Sequence, residues 1–392
     1  MRILHVSSGN LYGGIETMLV TMARHRGECA DMEQEFAPCF DARLAADLRE
    51  TGAAVHVLGD VRISRVVSVW RARRQLIRVL QATRYDAVIC HGPWVLIIFA
   101  SVIRALGVPL VLWAHDAHLG KHWIERLAAR QRPDRVIANS EYSSGHVASW
   151  LRGVPRTVIH CPVDVSGVRR RTRSRADVRG ELDTPADAVV IVLVGRMEAW
   201  KGQENLLGAL GILRQEPGWN CWIVGGPQRD AEAPYLIRLK QIAGQLAIAD
   251  RVRFAGQRAD VADLLAASDI YCQPNASAEP FGISLIEALS HGLPVITSAM
   301  GGALEIVNDS CGVLVRPGDV ALVSDAIAQL VANHALRRRL GDGGAARAHL
   351  LCDPAGRLRE LETEMRRLGS IHQRDTENGG AFAAMTEATD AC

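Results

Sequence analysis

The chain has 392 residues, of which 48% are hydrophobic and 22% are charged, a balance typical of a globular protein with a large apolar core. This length favours two domains over one. The formal net charge of +2 excludes the strongly basic character of general nucleic-acid-binding proteins, so we expect no nucleic-acid partner.

The N-terminal residues and the cysteines indicate a cytoplasmic location. The opening MRILHVSSGN lacks the long apolar run of a signal peptide, and the most apolar run, residues 95–103, is too short to span a bilayer. The nine cysteines are scattered without a C-x-x-C pair. Buried reduced thiols are therefore expected, without disulfides or a zinc site.

Residues 1–165 alternate short β-rich segments with helical patterns, which predicts a parallel sheet covered by helices. Strands are predicted at 2–8, 35–40, 54–58, 86–91, 110–114, 135–139 and 157–161, and helices begin near 15, 43, 66, 93, 121 and 142. The first strand ends in a turn with Gly13 and Gly14, where the backbone either approaches an anionic ligand or simply turns tightly. Two further strands end at His91 and His115; such a histidine either binds a sugar hydroxyl or is satisfied by the backbone.

The segment Val61–Leu80 interleaves arginines with apolar residues. A basic amphipathic helix of this kind rests on an anionic membrane surface, or it covers a sheet and turns a solvated arginine face outward. The sequence leaves both interpretations open. The first of them predicts peripheral contact with the inner face of the membrane.

A second α/β pattern follows an arginine-rich linker at 166–187 and occupies residues 188–350. Its strands are predicted at 189–195, 220–226, 251–256, 269–274, 294–298 and 312–317, with helices between them. Residues 351–368 are predicted as a C-terminal helix that crosses back to the first domain, and 369–392 as a disordered tail.

Two segments of the second domain carry candidate phosphate-binding groups. Arg196 and Lys201 follow the first strand, where a guanidinium and an ammonium can grip phosphate oxygens, although exposed cations are also common for solvation alone. The segment EPFGISLIEALSHGLPV places Glu279 and Glu287 on either side of a Pro-Phe-Gly turn that opens a helix. The first amides of a helix have no partner within it and bind anions. Together these features predict a nucleotide-sugar pocket.

These motifs resemble those of the retaining glycosyltransferases of family 4, also called glycosyl transferases group 1. The resemblance rests on the glycine pair after the first strand and on VGRMEAWKG, EPFGISLIEALSHGLPVI and GGALEIV, and it extends to about residue 350. It implies the GT-B fold, in which two doubly wound Rossmann-like domains face each other across a cleft. The first domain would then bind the acceptor and the second the donor.

The resemblance also implies a role for each candidate residue. Its catalytic set would be His115, Arg196, Lys201 and Glu279, and its donor-binding set Gly13, Gly14, Phe281, Gly282, Ile283 and Glu287. In these roles the two cations neutralise the donor diphosphate, the amides at 281–283 hold the distal phosphate, and Glu287 binds the ribose. Glu279 contacts the donor sugar, His115 faces sugar and acceptor, and the glycine pair approaches the diphosphate.

The expected activity is sugar transfer, with retention at the anomeric carbon, from a UDP- or GDP-linked donor to a hydroxyl of a glycan, a lipid-linked or a small-molecule acceptor. The resemblance also implies that Arg196 and Lys201 replace a divalent metal, so neither a metal nor a cofactor is expected; the absence of a D-x-D motif after a strand agrees with this. Two alternatives remain. A nucleotide-sugar epimerase would interconvert donors without an acceptor, and a non-catalytic protein would bind nucleotide without turnover.

Overall fold

A computed structural model describes residues 1–165 and 172–370 of the chain. The chain divides into two compact units. The first contains residues 1–162 and the described residues from 354 onward, and the second contains residues 163–353. Part of the predicted linker, residues 166–171, and most of the predicted tail, residues 371–392, lie outside the described residues.

The first unit is built on a six-stranded parallel sheet in the order β2-β1-β3-β4-β5-β6. Its strands are β1 Arg2–Ser7, β2 Glu33–Pro38, β3 Ala87–His91, β4 Leu110–Ala114, β5 Arg135–Ala138 and β6 Arg156–Val158. Every residue of β3 and β4 is buried, as expected for parallel strands covered on both faces. The expected strand at 54–58 lies along the edge strand β2, with one bridge between Val55 and Phe36 and backbone hydrogen bonds that join Ala54, His56 and Leu58 to residues 36–38.

Helices follow the strands of this sheet: α1 Gly14–Arg24, α2 Arg43–Glu50, α3 Val66–Ala82, α4 Pro93–Ala105, α5 Trp123–Ala129 and α6 Glu141–Trp150. Residues 354–370 form a further helix that belongs to the first unit. Its Glu364 pairs with Arg135 at 2.6 Å, and both side chains are largely buried. This ion pair fastens the end of the described chain to the first sheet.

The second unit repeats the architecture with a six-stranded parallel sheet in the order β12-β11-β10-β7-β8-β9. Its strands are β7 Val189–Val194, β8 Trp219–Val224, β9 Val252–Gly256, β10 Ile270–Gln273, β11 Val295–Ser298 and β12 Gly312–Val315. Its helices are α7 Arg175–Glu181, α8 Gln203–Ile212, α9 Ala233–Gln245, α10 Val261–Ala266, α11 Ile283–Ser290, α12 Ala303–Ile306, α13 Val320–Ala332 and α14 His334–Cys352.

Helix α7 lies inside the segment that the sequence assigns to a solvated linker. Its Arg179 is only 3% exposed and donates to Asp269, whose carboxylate also accepts from the backbone N–H of Val190. Arg179 is therefore a buried anchor for the start of the second sheet, within a segment whose arginines suggested solvation.

Each unit is a doubly wound Rossmann-like domain, which confirms the predicted fold class. The strand order of each sheet reverses once, between β1 and β3 in the first unit and between β7 and β10 in the second. Loops diverge at such a point and leave a crevice at the carboxyl ends of the strands, where ligands of open α/β sheets bind.

Candidate functional site

The segments that follow β7 and β10 meet at the reversal point of the second sheet. The segment after β7 contains Arg196 and Lys201, and the segment after β10 leads to Glu279. The Lys201 Nζ lies 2.7 Å from Glu279 Oε2. The structure therefore brings two of the predicted catalytic side chains into direct contact, although 78 residues separate them in sequence.

Gly202 allows these two segments to approach each other. Its φ is +78°, and a Cβ at this position would lie 2.0 Å from the carbonyl oxygen of Pro274. A side chain would be excluded by both the conformation and the clash. Close by, Ala276 N donates to the Trp200 carbonyl at 2.8 Å. Backbone contacts thus fix the position of Lys201 relative to the end of β10.

Glu279 is buried, with only 7% of its surface exposed, and is held through one of its two oxygens. Oε2 accepts from Lys201, from Gln273 Nε2 at 3.1 Å and from Asn275 Nδ2 at 3.3 Å. None of the described residues donates a hydrogen bond to Oε1. A carboxylate fixed at one oxygen and unengaged at the other is suited to accept from a ligand hydroxyl.

Arg196 and Lys201 belong to one loop, and each is paired with a carboxylate. The Arg196 guanidinium lies 2.9 Å from Glu198 Oε2, which also accepts from the Trp200 indole N–H at 3.0 Å. The Lys201 ammonium lies 4.1 Å from the centre of the Trp200 ring, a cation–π distance. The loop therefore holds two cations in place before any anionic ligand arrives.

Helix α11 begins beside these groups, after a turn in which Gly282 has φ +116°. Gly301 and Gly302 let another chain segment lie against this turn: a Cβ on Gly302 would come within 2.6 Å of Phe281 Cα, and Gly302 N donates to the Glu279 carbonyl at 2.8 Å. The start of α11 is thus rigidly placed. Ile283 is the first helical residue, and the half-buried Glu287 lies in the second turn.

The glycine pair of the first unit lies at the start of α1. Gly13 is the N-cap residue and Gly14 the exposed first helical residue. The N–H of Gly13 donates to Glu16 Oε2 at 3.0 Å. An anionic ligand at this turn would have to share the amides with the Glu16 carboxylate, a feature that the glycine pattern alone did not reveal.

His115 follows β4 in the first unit and lines a cavity of about 250 Å³. The cavity wall also contains Ile15, Gly92, Pro93, Trp94, Asp116, His118, His122, Ile124 and Glu125. Burial, together with the nearby imidazoles of His118 and His5, lowers the pKa of His115 to about 3. His115 is therefore a neutral imidazole at neutral pH. Its Nε2 lies 2.8 Å from Nδ1 of His91.

Several residues that the sequence analysis did not select surround Glu279. Tyr271 donates to Gln273 Oε1 at 2.6 Å, and Ser284 donates to the same oxygen at 3.1 Å. These contacts orient the Gln273 amide so that its nitrogen faces Glu279. A usable signal was present, since Gln273 and Asn275 are polar residues at the end of an apolar strand, where parallel sheets place their ligand contacts.

Within residues 1–165 and 172–370, no group of three or more histidine, cysteine, aspartate or glutamate side chains is arranged to hold a metal ion. Metal independence stays a prediction.

In the same described ranges, no helix combines the length and the apolar composition needed to cross a membrane. Eight cysteines in these ranges are buried, as the sequence analysis expected.

Comparison with known families gives two matches. Residues 12–166 match the model described as Glycosyltransferase Family 4, and residues 174–347 match the model described as Glycosyl transferases group 1. Together the two matches extend over most of the chain and separate at the boundary between its two units.

Among curated proteins, the lipopolysaccharide core biosynthesis glycosyltransferase LpsD of Rhizobium meliloti is 28% identical over 88% of this chain and 92% of its own length. LpsE of the same organism is 36% identical over 42% of this chain and 46% of its own. A D-inositol 3-phosphate glycosyltransferase of Segniliparus rotundus is 30% identical over 62% of this chain and 58% of its own. The chain thus spans about half the length of the last two relatives.

Among solved structures, Anabaena HepE in complex with UDP and glucose superposes with a TM-score of 0.83 and 23% identity, covering 94% of this chain and all of that one. WaaG, described as a glycosyltransferase involved in lipopolysaccharide biosynthesis, gives a TM-score of 0.68 at 15% identity over 92% of this chain and 99% of its own. At these identities the likeness concerns the fold.

Proposed function

Because this chain belongs to the family 4 glycosyltransferases, with the GT-B fold, we propose that it transfers a sugar from a nucleotide-sugar donor to a hydroxyl acceptor. The observation that carries the proposal is the contact between Lys201 and Glu279 at the reversal point of the second sheet. A cation and a half-engaged carboxylate at this position match two neighbouring parts of a nucleotide sugar, the diphosphate and the hydroxyls of the sugar attached to it.

The second unit would bind the donor through groups that the structure has already fixed in place. In the proposal, Arg196 and Lys201 bind the diphosphate, and the first amides of α11 bind its distal phosphate. Glu279 accepts from a sugar hydroxyl through Oε1. The ribose is assigned to Glu287, and the amides are those at Phe281, Gly282 and Ile283.

The proposed reaction retains the configuration of the anomeric carbon. The bond between that carbon and the phosphate oxygen breaks, a bond to the acceptor oxygen forms on the same face, and the acceptor proton passes to the leaving phosphate. Arg196 and Lys201 stabilise the negative charge that develops on the diphosphate, a task that other enzymes give to a metal ion. The first unit contributes Gly13, Gly14 and His115, with His115 assigned to the acceptor side.

UDP-glucose is the donor to test first, because the structural neighbour HepE was crystallised with UDP and with UDP-glucose. GDP-sugars are the second group. For the acceptor, the relatives named for lipopolysaccharide core biosynthesis support a glycan or lipid-linked hydroxyl. The relatives named as D-inositol 3-phosphate glycosyltransferases support a small phosphorylated cyclitol as the alternative.

The test is release of nucleoside diphosphate from each donor, with and without acceptor, on the full chain. Transfer requires release that depends on the acceptor and a new glycosidic bond of the donor's anomeric configuration, detected by NMR. Conversion of the donor without acceptor would identify an epimerase instead. Nucleotide binding without turnover on every acceptor class would contradict the proposed activity. Inversion of configuration would contradict retention alone, and loss of activity in EDTA would contradict metal independence.

We also propose that α3 attaches the first unit to an anionic membrane surface. One face of α3 packs on the core through buried residues such as Leu76. Exposed apolar side chains are Ile63 just before the helix and Val66, Val67 and Trp70 within it, with Val66 at 80% and Trp70 at 54%. Between residues 61 and 85 the sequence has no aspartate or glutamate but has arginines at 62, 65, 71, 73, 74, 78 and 84. Exposed apolar side chains ringed by arginines fit a layer of anionic lipid headgroups.

Co-sedimentation with vesicles tests this contact. The chain should bind phosphatidylglycerol-containing vesicles and not pure phosphatidylcholine, with binding weakened by salt because arginine contacts are screened. The variant Val67→Ser/Trp70→Ser should lose most of the binding, while Ile237→Ser, an equally exposed apolar position on α9, should retain it. Equal binding to both kinds of vesicle, or equal loss in both variants, would contradict the proposal.

A further inference from the structure

Three histidines line up across neighbouring strands of the first sheet. His5 lies near the end of β1, His91 is the last residue of β3, and His115 directly follows β4. The strands β1, β3 and β4 are adjacent in the sheet, and β1 and β3 flank its reversal point. The imidazole rings stack with centroid distances of 5.3 and 5.1 Å. The sheet therefore sets the spacing of the three rings.

The ring nitrogens form a continuous hydrogen-bonded chain. Nδ1 of His5 lies 3.0 Å from Nε2 of His91, and Nδ1 of His91 lies 2.8 Å from Nε2 of His115. These distances leave no room for a metal ion between the rings, since two nitrogens that coordinate zinc each lie about 2.0–2.1 Å from it. Each contact is therefore one N–H donating to one lone pair.

All three rings are held neutral. Burial lowers the pKa of His5 to about 3, and it lowers the pKa of His91 well below the usual range, with further lowering by the two neighbouring imidazoles. The groups that face His115 from the cavity wall are Asp116, His118, His122 and Glu125. A neutral imidazole has one N–H and one lone pair. The three rings can then satisfy both contacts in only two ways, with every N–H pointing toward His5 or every N–H pointing toward the cavity.

The buried end of the hydrogen-bonded histidine chain, at His5, selects between these two arrangements. Nε2 of His5 and both polar atoms of Gln34 are buried without a hydrogen-bond partner among the described residues. The Gln34 side chain also raises the pKa of His5, against the larger lowering by burial, which is the effect of an oxygen that faces a ring N–H. We therefore assign Gln34 Oε1 as the acceptor for His5 Nε2–H. The N–H groups then all point toward His5.

At the other end of the histidine chain, His115 has one ring nitrogen without a hydrogen bond to a described residue. Nε2 of His115 is used in the contact with His91, and no described residue forms a hydrogen bond with Nδ1. With every N–H directed toward His5, Nδ1 of His115 carries a lone pair.

We propose that His91 and His5 are positioning residues that hold His115 as its Nε2–H tautomer, so that Nδ1 accepts a hydrogen bond from a ligand hydroxyl. The ligand would be the acceptor or the donor sugar, and this part of the inference rests on the proposed function. The chain transfers no proton along its length: its role is to fix which nitrogen of His115 carries hydrogen. A partner that fixes a histidine tautomer in this way commonly changes activity by tenfold or more when it is removed.

The tautomer can be measured directly by two-bond 1H–15N NMR on the full chain labelled with 15N-histidine, with His115 assigned by the signals lost in His115→Gln. The inference expects a neutral ring at pH 7 with hydrogen on Nε2 and none on Nδ1. Hydrogen on Nδ1, or a charged ring, would overturn it. This measurement needs no substrate, so it decides the inference even if no sugar transfer is found, and absence of transfer would count against the proposed function alone.

Two substitutions at His91 separate positioning from a merely structural role. His91→Leu removes the hydrogen bonds from this position to His5 and His115. We then expect a mixture of tautomers at His115 and a kcat lower by about tenfold or more, with a smaller change in KM. His91→Gln offers one donor and one acceptor, and we expect it to restore the Nε2–H tautomer and most of the kcat. The exposed His334→Gln is the control and should change neither.

An unchanged His115 spectrum in folded His91→Leu would overturn the inference. So would a His91→Gln variant that keeps the tautomer but is as inactive as His91→Leu, because that result would require proton transfer through His91 itself. If His91→Leu does not fold, as judged by its thermal melt, the spectrum and kcat of His91→Gln relative to wild type still decide the point.

Discussion

In the second unit the groups at the reversal point of the sheet are charged and paired, whereas in the first unit the same edge of the sheet holds a row of neutral rings. Lys201 and Glu279 form an ion pair at 2.7 Å, while His91 and His115 share a hydrogen bond between uncharged nitrogens. One sheet topology thus supports two kinds of chemistry. In the proposed function, the charged groups bind a polyanion and the neutral imidazoles orient a hydroxyl.

The same contrast appears in how each site is held. In the second unit, glycines at 202, 301 and 302 let backbone segments lie against each other and carry the charged side chains with them. In the first unit, three strands of the sheet carry the rings directly. A loop-borne site depends on local turns, and a strand-borne site depends on the order of the sheet. Substitutions at the two sites should therefore have different consequences.

Removal of a cation from the second unit should have the largest effect. For Arg196→Ala and Lys201→Met we expect transfer to fall by about 10²–10³-fold, because charge that develops on the leaving diphosphate loses a fixed partner. The measurement is kcat/KM with the active donor, and thermal melts establish that the variants fold. Arg214→Ala, an exposed arginine of the same unit, serves as the control. Wild-type turnover in either site variant would remove that residue from the proposed mechanism.

The ion pair should also be important for stability. Lys201→Met leaves Glu279 buried without its cation, and we expect the free energy of unfolding to fall by about 3 kcal/mol. The double variant Lys201→Met/Glu279→Gln should recover part of this loss. Urea denaturation measures both changes. Arg238→Met breaks an exposed pair with Glu204 and should cost less than about 1 kcal/mol. Equal losses at the two pairs would mean that burial does not distinguish them.

The glycine contact can be tested against a matched glycine. Gly202→Ala and Gly218→Ala both place a side chain at positive φ, +78° and +83°, but only the first would collide with another backbone segment. We expect about 1 kcal/mol of destabilisation at Gly218 and clearly more at Gly202, with loss of donor binding only at Gly202. Donor binding is measured by calorimetry. Similar behaviour of the two variants would show that the contact with Pro274 is not what fixes the loop.

The neutral rings predict a dependence of stability on pH. The folded pKa of His5 is depressed to about 3 from an ordinary value of 6.5, so the unfolded chain binds the extra proton between these values. The free energy of unfolding is therefore unaffected by the titration of His5 above pH 6.5, and it decreases as the pH falls from 6.5 toward 3. In His5→Gln the slope in this window should be smaller by about 1.4 kcal/mol per pH unit, whereas His334→Gln serves as a control. Equal slopes in His5→Gln and wild type would mean that His5 is protonated in the folded chain.

Much of the fold followed from local patterns. Apolar runs located eleven of the twelve strands within a few residues and overlapped β6 only at its last two residues, 157 and 158, and the Pro-Phe-Gly turn located the start of α11. The segment at 54–58 pairs with β2 through backbone hydrogen bonds and a single bridge, as an edge segment with a partner on one side only. Helix α7 was missed because arginine normally signals solvent, and only the contact of Arg179 with the half-buried Asp269 explains its burial there.

The motif residues of the second unit could be selected from sequence because the residue type alone indicates the kind of contact. Cations suit phosphate, carboxylates suit hydroxyls and glycines suit tight turns. Their roles in catalysis stay predictions. The amides that orient Glu279 escaped selection, since Gln273 and Asn275 gain their meaning only from the carboxylate that they meet.

Local sequence patterns are sufficient to predict two parallel α/β domains and to select the segments that carry the side chains proposed to bind phosphate and sugar. Periodicity and turn chemistry act over a few residues, so they are legible in a single stretch of chain. The contact between Lys201 and Glu279 and the hydrogen-bonded chain of His5, His91 and His115 could be seen only in the tertiary structure. These partners lie 78, 86 and 24 residues apart, and the order of strands in the sheet, which no local pattern encodes, brings them together.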